Sequence, residues 1–283
     1  MKPAAHLLAL ALVTPLGAAL TPRESALPHY ALDRDPSRQA GLPKRLEEIS
    51  GLAFTADGRL LAHGDEAAVV WELDPGSGRV IKQFGLGRHG QVLRGDFEGI
   101  EVVDDRVFLV TSAGEIVAGT EGKDGEVVAG VSADLGLRGA CEVEGFGWDR
   151  PTRSFLLLCK QVASKRWRDH VVILAVSGKT WKLESRPRLA VPERDLERVT
   201  GVKHFNGSAI ARHPRTGTYI LLAGPQRAYA EIDTAGRVLG GGRFDRRRHR
   251  QPEGVAVGSD LALLVSDEAA GKDATISTYA WRP

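Results

Sequence analysis

The sequence predicts an all-β fold, a single β-propeller of four-stranded blades, and three observations predict it. Five segments are versions of one another: Ile49–Phe54, Phe97–Val102, Val143–Trp148, Gly207–Arg212 and Pro252–Val257. Their central positions Ser50, Glu98, Glu144, Ser208 and Glu253 lie 48, 46, 64 and 45 residues apart, close to the forty-odd residues that one four-stranded blade requires. Each segment is followed by a turn and then by a short apolar run.

The segments themselves read as inner strands. Each opens on a carboxylate or hydroxyl, continues with Gly or Ala, and then alternates apolar and small residues, as crowding near the axis demands. The turns Thr55–Arg59, Val103–Asp105, Asp149–Arg153 and His213–Gly217 carry the Asp, Pro and Gly chemistry of a chain reversal. The runs Leu60–Ala62, Val107–Val110, Phe155–Leu158, Tyr219–Leu222 and Leu261–Val265 are continuously apolar, which marks second strands buried on both faces between neighbouring blades. Five motifs give five blades. A six-bladed ring is the alternative, and it needs a degenerate blade that leaves no trace in the sequence. After the last motif the chain has room for three strands only, ending in Ile276–Trp281, so a strand from the N-terminal segment around His29–Leu32 is expected to close the ring. The long third interval reads as an insertion, with Lys165–His170 placing Trp167 among basic residues, either as a stacking platform or packed on its own loop. Pro192–Val199 reads as a short helix or a turn.

The chain begins with the three zones of a secretory signal peptide: Met1-Lys2, the apolar His6–Val13, and the small residues Gly17-Ala18-Ala19. Residues 1–19 are read as that peptide, 20–45 as an N-terminal segment containing the closing strand, and 46–283 as the propeller, in a periplasmic or secreted protein. The apolar stretch is shorter than the roughly 20 residues of a spanning helix, with an uncleaved anchor as the alternative. Thirty-eight basic against 36 acidic side chains leave a formal net charge of +2, so no overall field points to nucleic acid or an anionic membrane, and a monomer is expected. Cys141 and Cys159 flank the third motif and are either bridged or two buried thiols; a regular hairpin would place Cys159 opposite Glu144, so a bridge needs the chain before Val143 to bend.

The series Glu48–Ala53, Gly95–Ile100, Glu144-Gly145 and Gln251–Ala256 with Ser266-Asp267-Glu268 resembles the SdiA-regulated family of bacterial exported propellers, and more distantly the esterase-like phytase domains. The resemblance runs from about Leu46 to the end and is most specific at D-F-E-G-I and P-E-G; the fourth motif, Asn206–Ala209, departs from it. It implies a propeller and a bound divalent cation, without a reaction.

In a propeller, the connections entering the inner strands and those between second and third strands share one face, around the mouth of the central channel. Ser50, Glu98, Glu144, Ser208 and Glu253 form a first ring there, and Asp65-Glu66, Thr111-Ser112, Lys160, Gly224 and Asp267-Glu268 a second. Three glutamates near one axis repel one another, and a cation relieves this most simply. Oxygen ligands without His or Cys suit calcium, with magnesium as the alternative, so Glu98, Glu144 and Glu253 are the candidate metal ligands. Neutralisation by Lys160, water in the channel, or backbone clasps are the competing explanations. The pairs Asp65-Glu66 and Asp267-Glu268 either activate water beside a metal or cap strand ends. Arg243 and Arg246–Arg250, with Arg247 and Arg248 as the candidate ligand contacts, either grip a phosphate, carboxylate or glycan, or form a solvated loop. No G-x-S-x-G, P-loop or H-E-x-x-H motif occurs, Gly85–Gly90 is only a weak echo of a dinucleotide loop, and His63 is the one histidine placed near the mouth, in a structural role. Two functions follow. One is an exported binding or scaffold propeller recognising a small anionic, envelope or protein ligand; the other is a metal-assisted hydrolase of esters, lactones or phosphoesters.

Overall fold

A computed structural model describes residues 24–283, in which five four-stranded antiparallel blades close into a ring. The five repeated segments are the inner strands: Ile49–Phe54, Phe97–Val103, Cys141–Asp149, Ala209–Arg212 and Pro252–Val257. Each packs beside the next around the axis, and the fifth returns to the first. The apolar runs are the second strands, as expected, with residues such as Leu61, Leu109, Leu157, Leu221 and Val265 wholly buried. Between consecutive blades lie hydrophobic layers. One joins Phe84 and Phe97 across blades 1 and 2; another joins Phe108, Phe146 and Phe155 across blades 2 and 3. Stacking blade on blade in this way replaces a single central core.

The N-terminal segment closes the ring, but from a different place than the sequence suggested. The outer strand of blade 5 is Arg38–Gly41, paired antiparallel with Thr275–Tyr279. The expected His29–Leu32 instead completes a 3₁₀ turn and packs against blades 4 and 5. There the Tyr30 hydroxyl donates to the Leu261 carbonyl at 2.7 Å. The fully buried Glu231 accepts the backbone N–H groups of Ala26 and Leu27 at 2.8 and 3.1 Å, pinning the segment to blade 4. The signal-peptide residues 1–19 lie outside the described residues.

The insertion belongs to blade 3. It supplies a 3₁₀ turn at Lys165–Trp167 and the helix Glu193–Thr200, which ends on Gly201 in the left-handed conformation (φ 71°). Cys141 and Cys159 form a disulfide with a Cα separation of 5.5 Å. Two register shifts, at Glu142/Val143 and Val143/Gly145, bring Cys159 opposite Val143 and within reach of Cys141, which is the bend that a regular hairpin lacks. No helix among the described residues is long and apolar enough to cross a membrane.

Candidate functional site at the channel mouth

The inner strands begin with a repeated polar pair that sets up the site. Two residues before each first-ring position stands another polar residue, Glu48, Asp96, Glu142, Asn206 or Gln251, and register shifts at Ile49/Gly51, Phe97/Gly99, Val143/Gly145 and Pro252/Gly254 leave Ser50, Glu98, Glu144 and Glu253 unpaired as bulge residues. Each of these polar residues meets a side chain of its own blade, from the connection between second and third strands in four blades and from the second strand Ser154–Val162 in blade 3. Glu48 shares a hydrogen bond with Asp65; the Ser112 hydroxyl donates to Asp96 at 2.5 Å; Glu142 lies 3.6 Å from the Lys160 ammonium. In the last two blades Gln226 donates to Asn206 at 3.1 Å and Gln251 donates to Glu268 at 2.5 Å. A polar clasp in each blade therefore fastens the rim. The second ring read from the sequence is mostly one half of these clasps.

Inside the rim, Glu98 and Glu253 line the axial cavity, and the charge of Glu144 acts on both. Burial pushes the Glu98 carboxyl up to about 10, and the charges of Glu144, Asp96 and Glu253 add to the shift. Glu253 is raised to about 8 by burial and then by Glu268 and Glu144. Glu268 is raised to about 7, again by burial first, with Asp65 and Glu48 contributing. Among the described residues the only ammonium facing them is that of Lys160, 2.9 Å from Glu144. Burial works against its charge, but the hydrogen bond and the field of Glu144 outweigh that and raise it above the ordinary lysine value. Gly224 has its place in the second ring because a Cβ there would stand 2.5 Å from the Glu253 carboxylate oxygen. At Glu98 and Glu253 the channel narrows to a cavity of about 10 Å³, lined also by Ser50, Ser208 and the inner-strand backbones, room for about one water. Chemistry or binding must therefore take place above the channel, on the mouth face.

Several predicted site residues have other work. Asp267 is buried and accepts from His249 Nδ1 at 2.7 Å and from the Arg250 backbone N–H at 2.8 Å, while Tyr279 holds the other side of the His249 ring. This clamp fixes the loop entering blade 5 and keeps Asp267 off the mouth. Ser208 is also buried, donating to the Pro252 carbonyl and accepting the Gly224 N–H, so it ties blade 4 to blade 5. Ser50 donates to the Glu48 carbonyl at 3.2 Å. Arg248 grips Asp35 at 2.7 Å and holds the N-terminal segment, whereas Arg247 is exposed. Glu66 points outward, 4.0 Å from Arg94. Trp167 packs on the layer between blades 2 and 3 with Arg166 across its ring, and so offers no open stacking face. His63 is wholly buried behind Gly51 rather than at the mouth. The donor chemistry of the ring suits a hard cation, but among the described residues no three His, Cys, Asp or Glu side chains stand close enough together to hold one.

Two grooves that share Ser112, Ala113 and Arg138 open here, the first on blade 2 and the second between blades 2 and 3. One of about 380 Å³ is lined by Arg94, Asp96, Ser112, Glu115, Asp134 and Arg138. The other, about 390 Å³, is lined by Ser112, Arg138, Gly139, Glu142 and Gln161 among others.

No family model matches the chain, and no curated protein matches it. Solved structures do share its fold. The glutaminyl cyclase of Myxococcus xanthus superposes with a TM-score of 0.58 over 87% of this chain and 95% of its own, at 12% identity. The PQQ-bound aldose sugar dehydrogenase of Streptomyces coelicolor gives 0.54 over 87% and 97%, at 14% identity. A luciferin-regenerating enzyme gives 0.51 over 85% and 92%, at 10% identity. At these identities the likeness is one of fold alone: the chain is a five-bladed β-propeller.

Proposed function

We propose that this chain is an exported binding propeller whose carboxyl-lined mouth takes a positively charged ligand group. One observation carries the reading: Glu98 and Glu253 line the axial cavity and feel the charge of Glu144, with the single ammonium of Lys160 facing them among the described residues, so that burial and mutual repulsion raise Glu98 to about 10. Without a ligand, protons hold such a ring together. An ammonium or a divalent cation can displace them, and binding then releases protons and strengthens as the pH rises through about 7 to 10. A ligand that is only anionic is disfavoured by a rim of this sign.

Calcium, or magnesium in its place, is proposed as the inorganic occupant. The oxygen donors support it, although the side chains must turn toward one another to surround an ion. Membership of the SdiA-regulated family is likewise a proposal carried by Asp96–Ile100 and Pro252-Glu253-Gly254. The periplasmic or secreted location rests on residues 1–19, and a disulfide suits an oxidising compartment.

The test is calorimetric titration of the mature protein with calcium chloride and with ethylamine at pH 6 and pH 9, with proton release followed in weak buffer. Saturable binding of either that is tighter at pH 9 and releases protons supports the reading; heat-silent titrations of both at pH 9 overturn it.

A second reading has its own observation. Glu268 at about 7 and Glu253 at about 8 lie at and just above neutral pH, the range that suits an acid–base pair acting on an ester or lactone. Propellers host catalysis as well as binding, as the names of the solved neighbours illustrate. Under this reading Glu253→Gln abolishes turnover of a model ester or lactone while the fold survives.

A further inference from the structure

We infer that the ligand is a short peptide-like zwitterion, its ammonium at the glutamate ring and its carboxylate in the groove between blades 2 and 3. This rests on the cation reading of the ring and adds the second half of the ligand. The groove of about 390 Å³ is of ligand size and stands on the mouth face, between the Ser112 turn, the Arg138–Ala140 loop and the end of the second strand at Gln161–Ala163.

Its charged lining is one arginine, Arg138, and one glutamate, Glu142, where the ring is built of carboxyls. Arg138 lies between two left-handed glycines, Gly136 (φ 69°) and Gly139 (φ 75°), on an exposed turn. Its guanidinium has no ion pair or hydrogen bond among the described residues. Gln161 adds an amide donor on the facing wall. The one carboxylate that lines this groove among the described residues, Glu142, is answered by Lys160 at 3.6 Å. Asp96, Glu115 and Asp134 line the adjoining groove that Arg138 shares, but none of them pairs with it, and a free planar fork beside an amide is suited to a carboxylate.

The two half-sites are joined through one side chain. Lys160 stands 3.6 Å from Glu142 in the groove and 2.9 Å from Glu144 in the ring, so a ligand crossing from one to the other passes a single lysine. A purely cationic ligand would leave Arg138 unanswered, and a purely anionic one would face the ring. A zwitterion of dipeptide size satisfies both.

Titration calorimetry at pH 8 compares ethylamine, acetate and glycylglycine on the wild type, Arg138→Gln and Arg138→Lys, with circular dichroism to confirm that the variants fold. The expected result is glycylglycine about tenfold tighter than ethylamine, the order expected of one charge-assisted contact. Arg138→Gln removes that advantage and leaves ethylamine unchanged, and Arg138→Lys restores part of it. Glycylglycine no tighter than ethylamine, or unaffected by Arg138→Gln, overturns the inference while the cation reading stands. Failure of both ethylamine and glycylglycine to bind overturns the inference together with the ammonium form of that reading.

Discussion

Replacing Glu98 by Gln should make the protein more stable, and increasingly so as the pH rises. The Glu98 carboxyl is pushed from 4.5 to about 10, so the folded state holds its proton far more tightly than the unfolded chain does. For an acid raised in this way, stability is fully present below the unfolded value and declines as the pH climbs toward the folded value. Each pH unit above 4.5 costs about 1.4 kcal/mol, which sets a ceiling of about 4 kcal/mol at pH 7.5. Relaxation and water at the half-open mouth bring this to about 2 kcal/mol. In the variant, the side-chain amide keeps a donor for Asp96, which accepts from the protonated Glu98 in the wild type, and carries no charge. Melting of wild type and variant from pH 5 to pH 9 should give coincident curves at the acid end. A gain of about 4 to 8 °C should appear by pH 7.5, from the ~2–4 °C per kcal/mol of a domain this size. A variant less stable than wild type at pH 9, or a gap that does not widen with pH, would refute the argument that the ring is an uncompensated buried charge.

Lys160→Met should have the opposite effect, because it leaves Glu144 buried without its partner; a loss of about 3 kcal/mol in urea at pH 8, shrinking toward pH 5 as the carboxyls take up protons, is expected. Reduction of Cys141–Cys159, which closes a loop of 18 residues, should lower the unfolding free energy by about 3 kcal/mol, measured as the shift of the urea midpoint with and without dithiothreitol. Glu231→Ala removes the buried acceptor of the Ala26 and Leu27 N–H groups and should cost about 3 kcal/mol. It should also free the N-terminal segment, seen as limited proteolysis before Arg38.

The legible parts of this molecule are those in which side-chain periodicity and burial coincide. The inner strands betray themselves by small residues on the crowded axis, and the second strands by apolar runs such as Phe155–Leu158, because neither has a solvent face to dilute the pattern. The closing strand is the reverse case. Arg38–Gly41 is an edge with one buried side chain, Ala40, so its pairing leaves almost no apolar signal. Tyr30 and Leu32 drew the expectation instead, since anchors that pack against two blades are as apolar as a strand. The disulfide depended on two bulges near Val143: the one at Val143/Gly145 recurs before the motif glycine in three other blades, whereas the one at Glu142/Val143 belongs to blade 3 alone and has no residue signature.

At the mouth, the three glutamates were visible because acids on apolar inner strands break the pattern, and such breaks are where function is expected. Their neighbours Glu48, Asp96, Glu142 and Gln251 repeat just as regularly two residues earlier, and that repeat was the signal that could have found them. Strand alternation separates residues that look like pairs. Asp267 and Glu268 are adjacent, so they point to opposite sides: Asp267 goes into the clamp with His249, and Glu268 to the rim with Gln251. Asp65 and Glu66 divide likewise, one toward Glu48 and the other out toward Arg94. The pairing of these acids in sequence therefore does not bring them to one partner. That is a consequence of strand geometry, and the charge that matters for a ligand is the sum over the blades at one level of the axis, which is why the ring of Glu98, Glu144 and Glu253 with Lys160, rather than any doublet in the sequence, sets the sign of what this mouth can hold.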